Sequence, residues 1–214
     1  MDEIIVRVVR IIACLARLRI LSCLMSEDEM TPKDMGRKLR MKPDVVCAHL
    51  RRLSSMGLVL TRRSGVWCYC KARSPYTEEA FSGRVMAWLR GALADPSLTL
   101  RNCGVGQLRN SSSAAAQSEV HRLLFEAATA FANLRRLQIL RLLGKRDDAT
   151  VETVIRELKM SESAVCRHMD KLIRRGYVEA SRKGYFLAYR LASEFKTPLH
   201  GKLLAIVRAT WVRN

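Results

Sequence analysis

Ser163, Cys166 and Arg167 fall on one side of a helix at i, i+3 and i+4, with Glu162 and Asp170 beside them. No nucleophile–base pair, phosphate-cradling glycine loop or carboxylate pair occurs with them or elsewhere in the chain, so the expected chemistry is recognition and the chain reads as a non-enzyme. A guanidinium such as that of Arg167 bonds guanine O6 and N7 together, worth about 1–3 kcal/mol of discrimination. Ser163, near a helix N-terminus, suits a base edge or a phosphate. A second helix offers Asp44, Val45, Cys47 and Ala48 at matching places, with Ala48 where the other has Arg167 and Lys42 where the other has Ser161. Ser163, Cys166, Arg167, Asp44, Cys47 and Ala48 are thus the expected base contacts on duplex DNA.

Cations flank both sets. Lys42, Arg51, Arg52, Lys171 and Arg174, with Arg62, Arg63, Arg182 and Lys183 on two basic turns and Ser161 at a helix start, are the expected phosphate contacts. The whole chain fits such a partner: it carries a formal charge of +18 and a pI near 10.3. Both halves share the excess, which points to a polyanion, nucleic acid ahead of an anionic membrane surface. Solubility alone is the plainer explanation of part of it. The longest apolar runs are broken by arginine, as in Ile4 to Ile12, and none nears the roughly 20 residues of a membrane span. Asp2 and Glu3 stand where a signal peptide would be positive. A cytoplasmic, nucleoid-associated protein with reduced thiols, no cofactor and no membrane partner is expected.

The elements that position these residues follow from periodicity and caps. Residues 3–25 have helical spacing, as one helix or two joined by a bend. Thr31-Pro32 starts a short helix to Leu39, and a second runs from Pro43 to about Met56, stopped by Gly57. Strands are expected at 58–61 and 66–71 around Arg62-Arg63-Ser64-Gly65, then a helix over 77–94, on which Phe81, Val85, Trp88 and Leu89 line one face. Asp95 to Gln117 reads as linker. Helices are then expected at 118–143, 150–158 with Thr150 as N-cap, and 162–175 with Ser161 as N-cap. Strands at 177–181 and 185–191 around Arg182-Lys183-Gly184 and a helix at 197–211 complete the chain. Val46, Leu50 and Leu53, and separately Val165, Met169 and Leu172, are the inward stripes of the two reading helices.

The two stretches align without a gap. His49 and His168 are 119 residues apart, and that offset also pairs Leu21 with Leu140, Cys47 with Cys166, Leu53 with Leu172, Gly57 with Gly176 and Gly65 with Gly184. The expected fold is mainly α with small β-hairpin wings: tandem winged helix–turn–helix domains at 1–95 and 118–214, joined by a linker at 96–117.

Leu134 to Leu140, Ser161 to Met169, Gly176-Tyr177-Val178 and Arg182-Lys183-Gly184 resemble the ArsR-type bacterial repressors, whose pattern is Leu-Arg-x-x-Ile-Leu, Ser-x-x-x-Val-Ser-x-His-Leu, Gly-Leu-Val and a Gly-tipped wing. Leu15 to Leu21, Val46 to Leu50, Gly57-Leu58-Val59 and Arg63 to Gly65 resemble it again. The resemblance implies a DNA-binding transcriptional regulator, a repressor, and a chain that fuses two subunits into a monomeric pseudo-dimer, with higher oligomers open. The helices at 3–25, 77–94, 118–133 and 197–211 would supply its interface.

The family's metal-sensing patterns are missing. Lys33 to Gly36 holds no thiol, residues 77–94 hold no His, and Cys68 and Cys70 align with Leu187 and Tyr189, as core positions would. No metal is expected. His49 and His168 read as structural. Cys47 and Cys166 leave a thiol-based redox-responsive repressor as one alternative. A winged-helix scaffold for protein partners or chromosome complexes is another, opposed by the basic wings. An RNA-binding factor ranks last for want of stacking aromatics.

Overall fold

The computed structural model describes residues 1–105, 112–183 and 186–211, with Lys183 described by its backbone alone. It is mainly helical, with two small antiparallel sheets. Its contacts divide it into two compact units, Ile11–Phe125 and Met1–Arg10 with Glu126–Asn214. The division falls within helix α1 (Asp2–Ile12) and within helix α7 (Ser113–Phe131). No described helix is long and apolar enough to cross a membrane.

In the unit Ile11–Phe125, α2 (Leu15–Met25) follows α1 after a break at Ala13-Cys14, so the bent alternative holds for residues 3–25. Cys14 takes the extended N-cap conformation but supplies no capping bond. Buried Arg17 donates instead to the Ile11 carbonyl across the break. Thr31 caps α3 (Pro32–Leu39) by accepting from the Asp34 amide at 3.2 Å, with Pro32 in the first turn where its missing N–H costs nothing. Arg40 ends α3 in the left-handed region, φ 53°.

Helix α4 (Pro43–Ser54) buries Val46, Leu50 and Leu53 as its spacing required. Gly57, at φ +66°, closes it: the Leu58 amide reaches the Leu53 carbonyl at 3.0 Å and the Gly57 amide the Ser54 carbonyl at 2.9 Å. A Cβ on Gly57 would lie 2.5 Å from the Tyr76 ring.

The hairpin begins later than expected. Leu58 and Val59 are buried ahead of it, and β1 (Leu60–Ser64) pairs with β2 (Trp67–Lys71) in the register Ser64↔Trp67. The reason is the turn. Gly65 (φ +59°) and Val66 alone form it, with the first residue at positive φ, as in a type II′ turn. Arg62 and Arg63 are therefore strand residues. Met30 forms an isolated bridge with Cys70.

Helix α5 (Phe81–Leu93) buries Phe81, Val85, Trp88 and Leu89, the expected stripe, but starts four residues late because the Ala80 amide turns back onto the Thr77 carbonyl. The supposed linker contains α6 (Pro96–Asn102), capped by Asp95 through the Leu98 amide at 2.9 Å, and the start of α7. Its Asp-Pro opening suits either element, since an acidic cap followed by proline starts helices as well as turns.

The other unit adds the later part of α7, then α8 (Leu134–Leu143). Together they cover the stretch expected to be helical over 118–143, and Asn133 caps the second through the Arg136 amide. Arg136 donates back across that break to the carbonyls of Ala130 (2.9 Å) and Thr129 (2.7 Å). Strand β3 (Ala149–Thr150) was not foreseen; two residues carry no periodicity. Thr150 then caps α9 (Val151–Leu158), which ends on left-handed Lys159, φ 49°. Helix α10 (Glu162–Arg174) buries Val165, Met169 and Leu172.

Gly176 (φ +70°) ends α10, and β4 (Val178–Lys183) and β5 (Phe186–Leu191) form the hairpin, with sheet order β3-β5-β4 and Ala149 opposite Tyr189. Arg182 and Lys183 are again strand residues; the expected tip at Gly184 lies outside the described residues, as does the Lys183 side chain. Helix α11 is Pro198–Arg208. The root of this hairpin is anchored inside the unit. Fully buried Tyr177 donates its hydroxyl to the Ala127 carbonyl at 3.2 Å and meets the Phe131 ring edge-on at 4.9 Å.

Candidate nucleic-acid interface

Burying Val165, Met169 and Leu172 turns the opposite stripe of α10 outward. Ser161, Ser163, Arg167 and Arg174 are exposed along it. Ser161 stands at the N-cap as expected, but its hydroxyl lies 3.4 Å from that of Ser163 and makes no capping bond. The two hydroxyls pair with each other at the positive end of the helix dipole, and the Ala164 amide donates to the Ser161 carbonyl at 3.1 Å. Arg167 has no hydrogen-bond or ion-pair partner among the described residues.

Cys166 is only half-buried. It lies beside Tyr189 of β5, whose phenol is pushed up by burial and then by Cys166 and Asp170. Arg174 donates to the Asp170 carbonyl at 3.4 Å, and Lys171 is half-buried, its ammonium pulled down by burial and then by Arg175, Arg174 and Arg136. Arg182 projects from β4 into solvent.

On α4, Lys42, Asp44, Val45, Arg51 and Arg52 are exposed, while Cys47 and Ala48 are half-buried. Pro43 sits in the first turn after Lys42, which cannot cap as a hydroxyl would. Arg63 is exposed on β1 and unpaired among the described residues. Arg62 is exposed too, but Glu29 holds it: Nε donates at 3.0 Å to both carboxylate oxygens and Nη2 at 2.6 Å to one, while the guanidinium lies 4.7 Å over the Tyr69 ring. The hydrogen bond from Arg62 holds the Glu29 carboxyl below its ordinary range. This pairing was missed because residues 33 apart in sequence give no local sign of it.

His49 and His168 are half-buried, each with its pKa lowered first by burial and then by arginine, Arg17 and Arg52 in one case and Arg136, Arg167 and Arg135 in the other. Cys70 is buried and its thiol pushed up to about 12, by burial first and then by Cys68 and Cys47. No group of three or more His, Cys, Asp or Glu side chains among the described residues is placed to hold a metal ion. Each unit thus presents a helix with a buried apolar stripe, an outward polar stripe and a neighbouring hairpin that carries exposed arginine.

Set beside known proteins, no curated protein matches the chain. The M. tuberculosis protein Rv0081, a crystal structure, is 28% identical over 44% of this chain and 90% of its own, with a TM-score of 0.37. The MarR family's profile matches residues 133–184, a span that opens at the cap of α8, contains α9 and α10 and reaches into the hairpin. Residues 133–184 are thus similar to the winged helix–turn–helix domain of the MarR family.

Proposed function

We propose that the chain is a sequence-specific regulator of transcription that binds double-stranded DNA and acts as a repressor, reading bases with α10 and α4 and gripping phosphates with the flanking cations. The observation that carries this reading is the outward stripe of α10: Ser163 and unpaired Arg167 stand on the helix that the MarR-family match encloses. Helices of this kind enter the major groove by their N-terminal residues.

Four coincidences at the 119-residue offset support a second copy of the same domain in residues 1–95. Left-handed Arg40 answers Lys159, and Gly57 answers Gly176. The Met30–Cys70 bridge answers Ala149–Tyr189. The bond from Arg17 to Ile11 answers that from Arg136 to Ala130. On this reading two winged domains, 1–95 and 118–214, act as an intramolecular pseudo-dimer of the kind the ArsR-like motifs imply, and a single chain suffices for binding. Fusion would hold the second reader at an effective concentration of about millimolar.

The readers differ: Arg167 and Ser161 in one stand where Ala48 and Lys42 stand in the other. The operator is therefore asymmetric. Selection of bound sites from random duplex tests this, and recovery of a perfect palindrome, or of no enriched sequence, refutes it. The redox-responsive alternative predicts that peroxide releases the operator; unchanged affinity after peroxide treatment removes it.

A further inference from the structure

Few aromatic rings face outward. Among the described residues only Trp67, Tyr76 and Phe186 are exposed, and two of these three sit at hairpin tips. Trp67 is the first residue of β2 and Phe186 the first of β5, and they are 119 positions apart, the offset that also pairs Gly57 with Gly176. Each faces the last residue of the outgoing strand, Ser64 in one hairpin and Lys183 in the other. Scattered exposed apolar side chains are ordinary on a protein surface. Two aromatics at matching tips are a pattern.

In the first hairpin, Trp67 is 51% exposed and Val66 beside it 93%. Gly65 adds no side chain, and a Cβ there would meet nothing within 4 Å, so the tip is slim and open. Tyr69, two residues on and on the same face, has the Arg62 guanidinium over its ring at 4.7 Å. Trp67 has no such cover among the described residues. The ribbon behind it is braced by the ion pairs of Arg62 with Glu29 and of Lys71 with Asp28. In the second hairpin, Phe186 is 63% exposed.

Cations stand beside both rings. Arg63 is exposed on the other face of the first ribbon, and Arg182 is exposed on β4, each without an ion-pair partner among the described residues. An aromatic ring beside free cations fits a partner with an anionic exterior and a stacked apolar interior, which is duplex DNA. A membrane surface shares the first property, but adhesion there grows with buried apolar area, and one ring with one valine offers little. The minor groove, about 6 Å wide, is too narrow for a helix but open to a slim tip. Apolar side chains inserted there part adjacent base pairs and kink the duplex.

We propose that the hairpin tips are wedges: Trp67 in one unit and Phe186 in the other enter the minor groove and lever between base pairs at steps that unstack readily. Deformability of the site then contributes to selection alongside the base edges. The wedge rests on the duplex-binding reading above and deepens it.

Two duplexes of equal composition test it, one of alternating TA steps, which unstack readily, and one A-tract, which is stiff. Binding by the full chain is read by fluorescence anisotropy at low salt. The alternating duplex should bind several-fold more tightly, and 2-aminopurine placed in it should brighten as bases unstack. Trp67→Ala combined with Phe186→Ala should cost about tenfold or more on the alternating duplex, in keeping with a lost aromatic–base stack, and less than about twofold on the A-tract. Trp67→Phe should keep most of the preference. Melting of each free variant shows that it folds. Equal losses on both duplexes, no loss on either, or no brightening of 2-aminopurine would overturn the wedge and leave the regulator reading standing. Failure of the unaltered chain to bind either duplex would overturn both. Trp67-dependent binding to phosphatidylserine vesicles, with no loss on duplex, would make the tips membrane contacts and overturn the wedge as well.

Discussion

Salt dependence of DNA binding is the quantity the arrangement of cations fixes most directly. Of the expected phosphate contacts, Lys42, Arg51, Arg52, Arg63, Arg174 and Arg182 are exposed and not committed to a carboxylate, whereas Arg62 is clamped by Glu29 and Lys171 is half-buried among arginines. If all six engage phosphate, each releases about 0.9 counterion, so log K should fall against log salt with a slope of about −5. Affinity for a labelled operator duplex, read by fluorescence anisotropy, should then drop on the order of 10³-fold from about 50 to about 200 mM salt. Arg63→Ala and Arg182→Ala should each flatten the slope by about 0.9 and the double variant by about 2, while sequence preference stays unchanged. Glu29→Gln should do the reverse, freeing Arg62 and steepening the slope by about 0.9. A slope near zero refutes phosphate gripping altogether. A Glu29→Gln protein with unchanged slope refutes the clamp on Arg62.

Base reading and stability give three further tests. Arg167→Ala should cost about 1–3 kcal/mol at the operator and little on random duplex, and equal loss on both by competition binding would make it a phosphate contact. His200 is fully buried, its Nδ1 2.8 Å from the Thr197 hydroxyl, with a pKa lowered to about 4 by burial and then Lys196, while Glu126 opposes and Arg175 adds. The folded pKa lies below the unfolded value of about 6.5, so stability is complete above pH 6.5 and falls between there and about pH 4, by up to about 3 kcal/mol in denaturant titrations. His200→Asn should flatten that decline in part, since His121 imposes a similar one. Lys159→Gly removes a side chain from the left-handed region and should stabilise by up to about 1 kcal/mol, as measured by thermal melting.

The features legible in the sequence are those written in local spacing. The stripes Val46-Leu50-Leu53 and Val165-Met169-Leu172 are buried because i, i+4, i+7 is a property of any helix. Gly57 and Gly176 stop their helices because only glycine enters the left-handed region freely, and Thr31 and Thr150 cap where hydroxyls precede an apolar run. What escaped depends on partners distant in sequence or on very short elements. The first strand of the first hairpin starts two residues later than its composition suggests, because Gly65 opens a two-residue turn and does not close a four-residue one. Helix α6 was hidden in polar composition, and β3 exists only through pairing with β5. At the interface, the outward stripe of α10 followed from its period. The half-burial of Cys47 and Cys166 did not, because the neighbouring hairpin that covers them comes from another part of the chain.

Tyr177 gives the second hairpin a property that its strands lack. Short two-stranded ribbons are marginal on their own, but here a phenol rivets the base to the C-terminal end of a 19-residue helix through Ala127 and Phe131. Load applied to the wing is carried into α7 instead of being absorbed by a loop. The angle at which Arg182 is held out is therefore set by a helix, and loosening that one fastening would detune the wing without touching any of its charges.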